Sequence, residues 1–265
     1  MAGDDREIAK WDPSFAKQLT NLVGPLVKRW FRAEVRGLDN VPRSGGALVV
    51  SNHSGGMLTP DVWIFAQAFY DTFGYHRPVY TLAHYGVFLG PMDGWLRRAG
   101  VIEASPENAA KALRSGAVVL VFPGGDYDSY RPTLSQNTID FNSRTGYVRT
   151  AIETGVPIVP TVSIGAQETQ LFLTRGNWLA RKLGLTKARM DILPLSFGFP
   201  FGLSMIFPPN LPLPSKIVTE VLEPIDVSVR FGDRPDIDEV DAYVRSVMQT
   251  ALSRLARQRR FPILG

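Results

Sequence analysis

The sequence has no cysteine and only three histidines, His53, His76 and His84, in 265 residues. The missing cysteine excludes a disulfide framework, zinc–thiolate sites, iron–sulfur clusters and a cysteine nucleophile. Any chemistry that needs an imidazole must use one of three residues, and their spacing is not that of metal ligands. No Gly-x-Gly-x-x-Gly follows an apolar run and no Walker lysine motif is present, which argues against dinucleotide and P-loop sites. The Gly-x-Ser-x-Gly elbow of an α/β-hydrolase is missing too. The excess of cations is small, 29 Lys+Arg against 25 Asp+Glu. It predicts no nucleic-acid partner, and it suits an anionic small molecule or an acidic membrane surface. Behind the acidic opening Met1-Ala2-Gly3-Asp4-Asp5 there is no apolar run, so no signal peptide is expected. The expectation is a cytoplasmic location, peripheral on the cytosolic face of a membrane. The sequence leaves the oligomeric state open.

What is present can bury a full core: 45% of residues are hydrophobic and 20% charged. Asp12-Pro13 reads as a cap followed by a first-turn proline, and Phe15, Leu19, Leu22, Val23, Leu26, Val27, Trp30 and Phe31 recur behind it at helical spacing. Gly24-Pro25 predicts a kink halfway along. The basic amphipathic helix can lie in a membrane interface or pack its stripe on the core, and spacing alone does not choose. Strands are expected at Ala47–Val50, Val79–Leu82, Ala117–Phe122 and Pro157–Val162. Helices should open at Thr59-Pro60-Asp61, running through roughly Phe69, and at Ser105-Pro106-Glu107, with another ending at Gly155. Continuous apolar strands alternating with amphipathic helices predict an α/β fold, a mostly parallel central sheet covered by helices on both faces. Ile192–Ser215 carries no charge and is long enough to span a bilayer, but its six prolines exclude a spanning helix. That segment is core wrapping or a surface for lipid.

Two loops carry the chemistry. Ser51-Asn52-His53-Ser54-Gly55-Gly56 leaves the carboxyl end of the first buried strand, where open α/β sheets bind ligands. Asp61 follows in the first turn of the next helix, where an ionised carboxylate is favoured. Such an aspartate can fix the tautomer of His53 and support it as a general base. The plainer reading is a loop histidine and a capping aspartate. Phe122-Pro123-Gly124-Gly125 leaves the third strand, and glycine amides there suit a phosphate or an oxyanion. Arg131, Arg144 and Arg149 lie downstream as candidate phosphate contacts. Asp126 and Asp128 with Asp61 make a weak case for a metal, and none is expected. His84 follows the second strand and is a candidate for the same cleft, against a packing role. His76 is expected exposed, and Glu103 and Glu168 have no rank.

These pieces resemble the glycerolipid (lysophospholipid-type) acyltransferase superfamily. The likeness runs from about Val41 to Ile225 and lies in the order of four blocks: Asn52-His53 with a distal Asp61, Ala99-Gly100-Val101-Ile102, Phe122-Pro123-Gly124-Gly125, and Gly155-Val156-Pro157-Ile158-Val159-Pro160. Asn52-His53-Ser54-Gly55-Gly56, Phe122–Gly125, and Leu211-Pro212-Leu213-Pro214 ahead of a strand at Ile217–Leu222 are similar to its mono- and diacylglycerol acyltransferase-like branch. The resemblance implies a membrane-associated O-acyltransferase, with residues 1–36 a helical extension in candidate membrane contact and 37–265 one acyltransferase domain. It implies His53 as base and Asp61 as its orienting partner. Ser54, Gly55, Gly56, His84, Phe122, Pro123, Gly124, Gly125, Arg144 and Arg149 would bind substrate. Acyl-CoA or acyl carrier protein would be the co-substrate, without a cofactor, and a lipid hydroxyl the acceptor.

Two departures bear on that. The family spacing is His-x4-Asp, but Leu58 stands at that offset, so Asp61 reaches His53 only if Gly55-Gly56 bulges. Phosphate-acceptor members carry Pro-Glu-Gly followed by arginine, where this chain has Gly124 and Asp126; that favours a neutral acceptor. The competing reading is a non-catalytic protein that binds lipid or acyl-CoA through a non-productive histidine loop.

Overall fold

The computed structural model describes residues 7–185 and 191–261; the acidic opening residues 1–5 lie outside them. Helix α1 (Pro13–Trp30) starts where Asp12 accepts from the Ser14 and Phe15 amides, and it runs as one helix through the Gly24-Pro25 pair that predicts a kink. Strand β1 (Glu34–Arg36) precedes β2 (Ala47–Ser51), α2 (Pro60–Phe73), β3 (Val79–Ala83), α3 (Asp93–Arg98) and β4 (Val101–Glu103). Then come α4 (Pro106–Arg114), capped by Ser105, β5 (Val118–Val121), α5 (Gly125–Ser129), α6 (Gly146–Thr154) and β6 (Ile158–Ile164). Strand β7 (Leu171–Thr174), α7 (Asn177–Lys182), β8 (Leu195–Gly198), β9 (Gly202–Ser204), β10 (Val218–Val221), α8 (Val227–Phe231) and α9 (Ile237–Gln258) complete the order.

Seven strands form one sheet in the order β1-β10-β6-β2-β5-β3-β4. From β6 to β4 every pairing is parallel; β10 runs antiparallel to β6, and β1 pairs parallel with β10. Residues 34–36, placed by the sequence reading in the N-terminal extension, are therefore a strand of this sheet. The continuous apolar run of β2 serves two cores at once. Leu48 and Val50 face Val119, Leu113, Val148 and Met248 under α4, α6 and α9. Ala47 and Val49 face Phe65 and Phe69 of α2, with Leu120 and Val159. An α/β sheet covered by helices on both faces is what such strands require.

Helix α1 docks on α2 through small residues rather than through its leucines. Ala16, Thr20 and Gly24 are buried, and a Cβ at Gly24 would lie 1.9 Å from Gln67 Oε1. Leu22 and Leu26 are left 71% and 70% exposed. The chargeless segment is not core wrapping along its length: β7, β8 and β9 form a separate three-stranded antiparallel sheet whose outer face is apolar and exposed. No helix among the described residues is long and apolar enough to cross a membrane.

Candidate active site

Strand β2 delivers Asn52 and His53 at its carboxyl end. Asn52 is buried and locked to β6 by a reciprocal pair: its Nδ2 donates to Ser163 O and its Oδ1 accepts from Ser163 N, both at 2.8 Å. His53 thus leaves a fixed point. Gly55 and Gly56 then turn through left-handed conformations, φ +86° and +60°, and Thr59 follows at +41°. Only glycine enters that region without strain. The chain makes one 3-10 turn at Gly56–Leu58 before α2 begins. Thr59 makes no side-chain cap despite its position before Pro60; its left-handed backbone belongs to the turn instead.

This bulge brings Asp61 back to the histidine. His53 Nδ1 lies 2.8 Å from Asp61 Oδ2, which also accepts from the Ser54 amide at 2.9 Å, while Oδ1 accepts from the Val62 amide at 2.9 Å. Three convergent hydrogen bonds at 2% exposure are the setting of a carboxylate that orients an imidazole. With Nδ1 held by Asp61, the other ring nitrogen, Nε2, is left free of hydrogen bonds among the described residues. The ring packs against Phe122 with centroids 4.3 Å apart and planes tilted by 30°. Burial alone would push the His53 pKa down; the charge and hydrogen bond of Asp61, with the nearby charge of Asp128, outweigh it and raise the net value above 6.5.

A second carboxylate holds the loop from below. Asp128, on α5, accepts from the His53 backbone amide at 2.7 Å and from Arg131 at 2.8 Å. Both side chains of that ion pair are almost fully buried. Burial pushes the Asp128 carboxyl up, against the opposing pull of Arg131 and the His53 amide. From the sequence Asp128 is only a metal candidate and Arg131 only a phosphate contact; the pair closes just past the end of α5, and their separation of three residues is the one local signal for it. Arg131 is instead committed to Asp128 and Asp140 O. Asp126 pairs with Arg144, and no metal-binding cluster is found among the described residues.

The other candidates divide. Ser54, Gly55 and Gly56 form the histidine loop, and Phe122, Pro123, Gly124 and Gly125 adjoin it through the Phe122 ring. Gly125 N donates to Phe122 O at 3.0 Å, closing the turn on itself. Arg144 lies over this turn, donating to Gly124 O at 3.0 Å and Asp126 at 3.1 Å. Its Nη1 would be 2.7 Å from a Cβ at Gly125. Arg149 is exposed on α6 with no ion pair among the described residues. His84 is not brought to this cluster: it is exposed two strands away, accepting from Gly86 N and touching Tyr85. A small cleft, open to solvent, lies beside the loop and is lined by Asn52, His53, Ser54, Asp128, Ser163 and Gln167 among others. Glu168, unranked from sequence, is buried beside that cleft against Arg259.

Residues 32–164, from β1 through β6 and so including both chemical loops, match the family model described as Acyltransferase. The chain belongs to the acyltransferase family. An uncharacterized protein of Mycobacterium tuberculosis is 35% identical to this acyltransferase-family chain over 262 residues, 96% of this chain and 70% of that protein. A human protein named as a DGAT1/2-independent enzyme synthesizing storage lipids is 27% identical over 201 residues, 73% of this chain and 58% of its own. Among solved structures, the 1-acyl-sn-glycerophosphate acyltransferase PlsC of Thermotoga maritima superposes with a TM-score of 0.56, covering 96% of this chain and 84% of that one. At 18% identity that likeness is one of fold.

Proposed function

We propose that this acyltransferase is a peripheral enzyme of a cytoplasmic membrane face. It would move a fatty acyl group from a thioester, acyl-CoA or acyl carrier protein, to the hydroxyl of a glycerolipid or lysophospholipid acceptor. The observation that carries the reading is the 2.8 Å contact between His53 Nδ1 and Asp61 Oδ2, with Nε2 unpartnered among the described residues. In this scheme Asp61 holds the proton on Nδ1, and Nε2 takes the proton of the acceptor hydroxyl as its oxygen attacks the thioester carbonyl. The C–O bond forms, the C–S bond breaks, and the imidazolium returns its proton to the departing thiolate. Because a thioester is already activated, a positioned base suffices without a covalent nucleophile; such a base supplies about 10²–10⁴ in rate.

A neutral hydroxyl is the acceptor the site favours. Arg131 is consumed by Asp128, and Arg144 is held on Gly124 O and Asp126. The names of the human relative and of the Thermotoga enzyme, one concerning storage lipids and the other an acylglycerophosphate, support a glycerolipid acceptor and divide on its charge. A histidine more than two hydrogen-bond lengths from Asp61 would have favoured the non-catalytic reading, and the 2.8 Å distance speaks against it. The test is thiol release from palmitoyl-CoA and from palmitoyl carrier protein, each with monoacylglycerol, diacylglycerol, lysophosphatidate or no acceptor. Acceptor-dependent release, greatest with a neutral acylglycerol, is expected. Binding without release for both donors and every acceptor would overturn the proposal.

A further inference from the structure

The sheet β7–β8–β9 is turned inside out relative to one that faces water. Register places Leu171 opposite Phe197 and Phe197 opposite Leu203, and these three point outward, 40%, 55% and 62% exposed. At the alternating inward positions stand Phe172 and two serines, Ser196 and Ser204. The serine hydroxyls lie 3.1 Å apart, and buried Asn210 donates to Ser204 Oγ at 3.0 Å. A one-residue slip of a strand exchanges its two faces, so this arrangement is specified and is opposite to the one water favours. Two further phenylalanines, Phe199 and Phe207, stand 74% exposed beyond the strands.

The backbone around the hairpin is tied off internally. Phe199 O accepts from Leu211 N at 2.8 Å, Phe201 N donates to Asn210 Oδ1 at 3.1 Å, and Gly202 O accepts from Asn210 Nδ2 at 3.0 Å. Satisfied backbone beneath outward apolar side chains is what a hydrocarbon medium demands. The end of α1 is tied to the chain that follows β9, because Trp30 Nε1 donates to Pro212 O at 3.1 Å. Leu22, Leu26 and Trp30 form an exposed stripe one turn apart, and the neighbouring Lys28 and Arg29 have no ion partner among the described residues. Neither α1 nor Ile192–Ser215 contains an acidic residue. Apolar surface, an edge tryptophan and uncompensated cations together fit an anionic lipid surface.

We propose that the outer face of β7–β9 and the Leu22–Leu26–Trp30 stripe of α1 are seated together in the interface of an anionic lipid bilayer. The inference rests on the membrane-associated part of the function proposed above and not on its chemistry. It also fixes where the site stands. The inward side of the same sheet presses on the histidine loop, since a Cβ at Gly56 would meet Phe172 Cζ at 2.7 Å. A lipid substrate leaving the bilayer beside β7 would then be one side chain from that loop.

The experiment is flotation of the full chain with phosphatidylcholine vesicles, with and without phosphatidylglycerol. The variants are Phe199→Ser/Phe207→Ser and Leu22→Ser/Leu26→Ser, with Val229→Ser, 83% exposed on α8, as the control. Thermal unfolding of each variant keeps a folding defect separate from a binding defect. Expected are binding by the wild type and the control, and a loss of about tenfold or more for each replaced side chain with the unfolding midpoint unchanged. Omitting phosphatidylglycerol should weaken binding about thirtyfold, for two cations near the surface. Folded variants that float like the wild type would overturn the assignment of this face while leaving membrane association intact. Equal binding to both vesicle types would overturn the anionic partner. A wild type that binds no vesicle and instead forms dimers broken by these substitutions would overturn the bilayer itself as occupant.

Discussion

The stretched histidine loop works only if Gly55 and Gly56 can fold the chain back, so Gly55→Ala is the sharpest perturbation of it. At φ +86° an L-residue pays about 1–2 kcal/mol for the left-handed backbone. The added Cβ would stand 2.6 Å from Pro60 Cδ and 2.9 Å from Pro60 Cγ, where ordinary contact begins at 3.4 Å. The ring must therefore retreat by about 0.8 Å, and Pro60 is the first residue of α2, covalently attached to Asp61. Overpacking of this kind costs about 1–3 kcal/mol, so the loss of stability should total about 2–5 kcal/mol. The push falls on the residue directly before Asp61, and a displacement approaching 1 Å at a catalytic group costs about a hundredfold in rate. Urea unfolding measures the first quantity and kcat/KM, taken on the folded fraction, the second. An alanine variant with wild-type stability and turnover would refute the claim that the glycine bulge holds the pair together.

Three further outcomes are expected. The base form of His53 is neutral, so activity should rise with pH to a plateau, with its inflection above 6.5; Asp61→Asn should move that inflection down and lower the plateau by about 10²–10⁴. The same raised value gives a stability signature of defined sign. The His53–Asp61 contribution is complete below pH 6.5 and is lost as the pH rises through the folded value, so the wild type's advantage over Asp61→Asn in urea unfolding should shrink with rising pH. Asp128→Ala leaves the Arg131 charge buried and should cost about 3–5 kcal/mol, with Asp128→Ala/Arg131→Met recovering part of it in the same assay.

Much of this fold was readable because its strands are buried on both faces. Runs such as Ala47–Val50 and Ala117–Phe122 have one structural use, and the proline caps at Pro13 and Pro106 mark helix starts by local chemistry alone. The central sheet and its helical cover followed from that pattern. What was not readable depends on three-dimensional neighbours. The hydrophobic stripe of α1 has an ordinary core-facing spacing, yet its leucines are exposed because the helix meets α2 through Ala16, Thr20 and Gly24. The small sheet that Ile192–Ser215 forms with β7 escaped because its alternation is inverted: Ser196 and Ser204 point inward while Phe197 and Leu203 point outward, the reverse of a half-buried strand in water. In the site, His53, Asp61 and the glycine turn stood out by residue type and order. The lock of Asn52 on Ser163 and the Asp128–Arg131 support did not, since each spans elements whose adjacency the sequence does not state. His84 drew attention by following a strand, but its strand lies two places away from β2.

The central claim is that His53 is the base for acyl transfer, and acceptor-dependent thiol release by His53→Ala beside the wild type tests it most directly. A loss of about 10²–10⁴ in kcat/KM is expected, with the variant folded and still binding the acyl donor. A folded His53→Ala protein that keeps most of the wild-type acceptor-dependent turnover would contradict it.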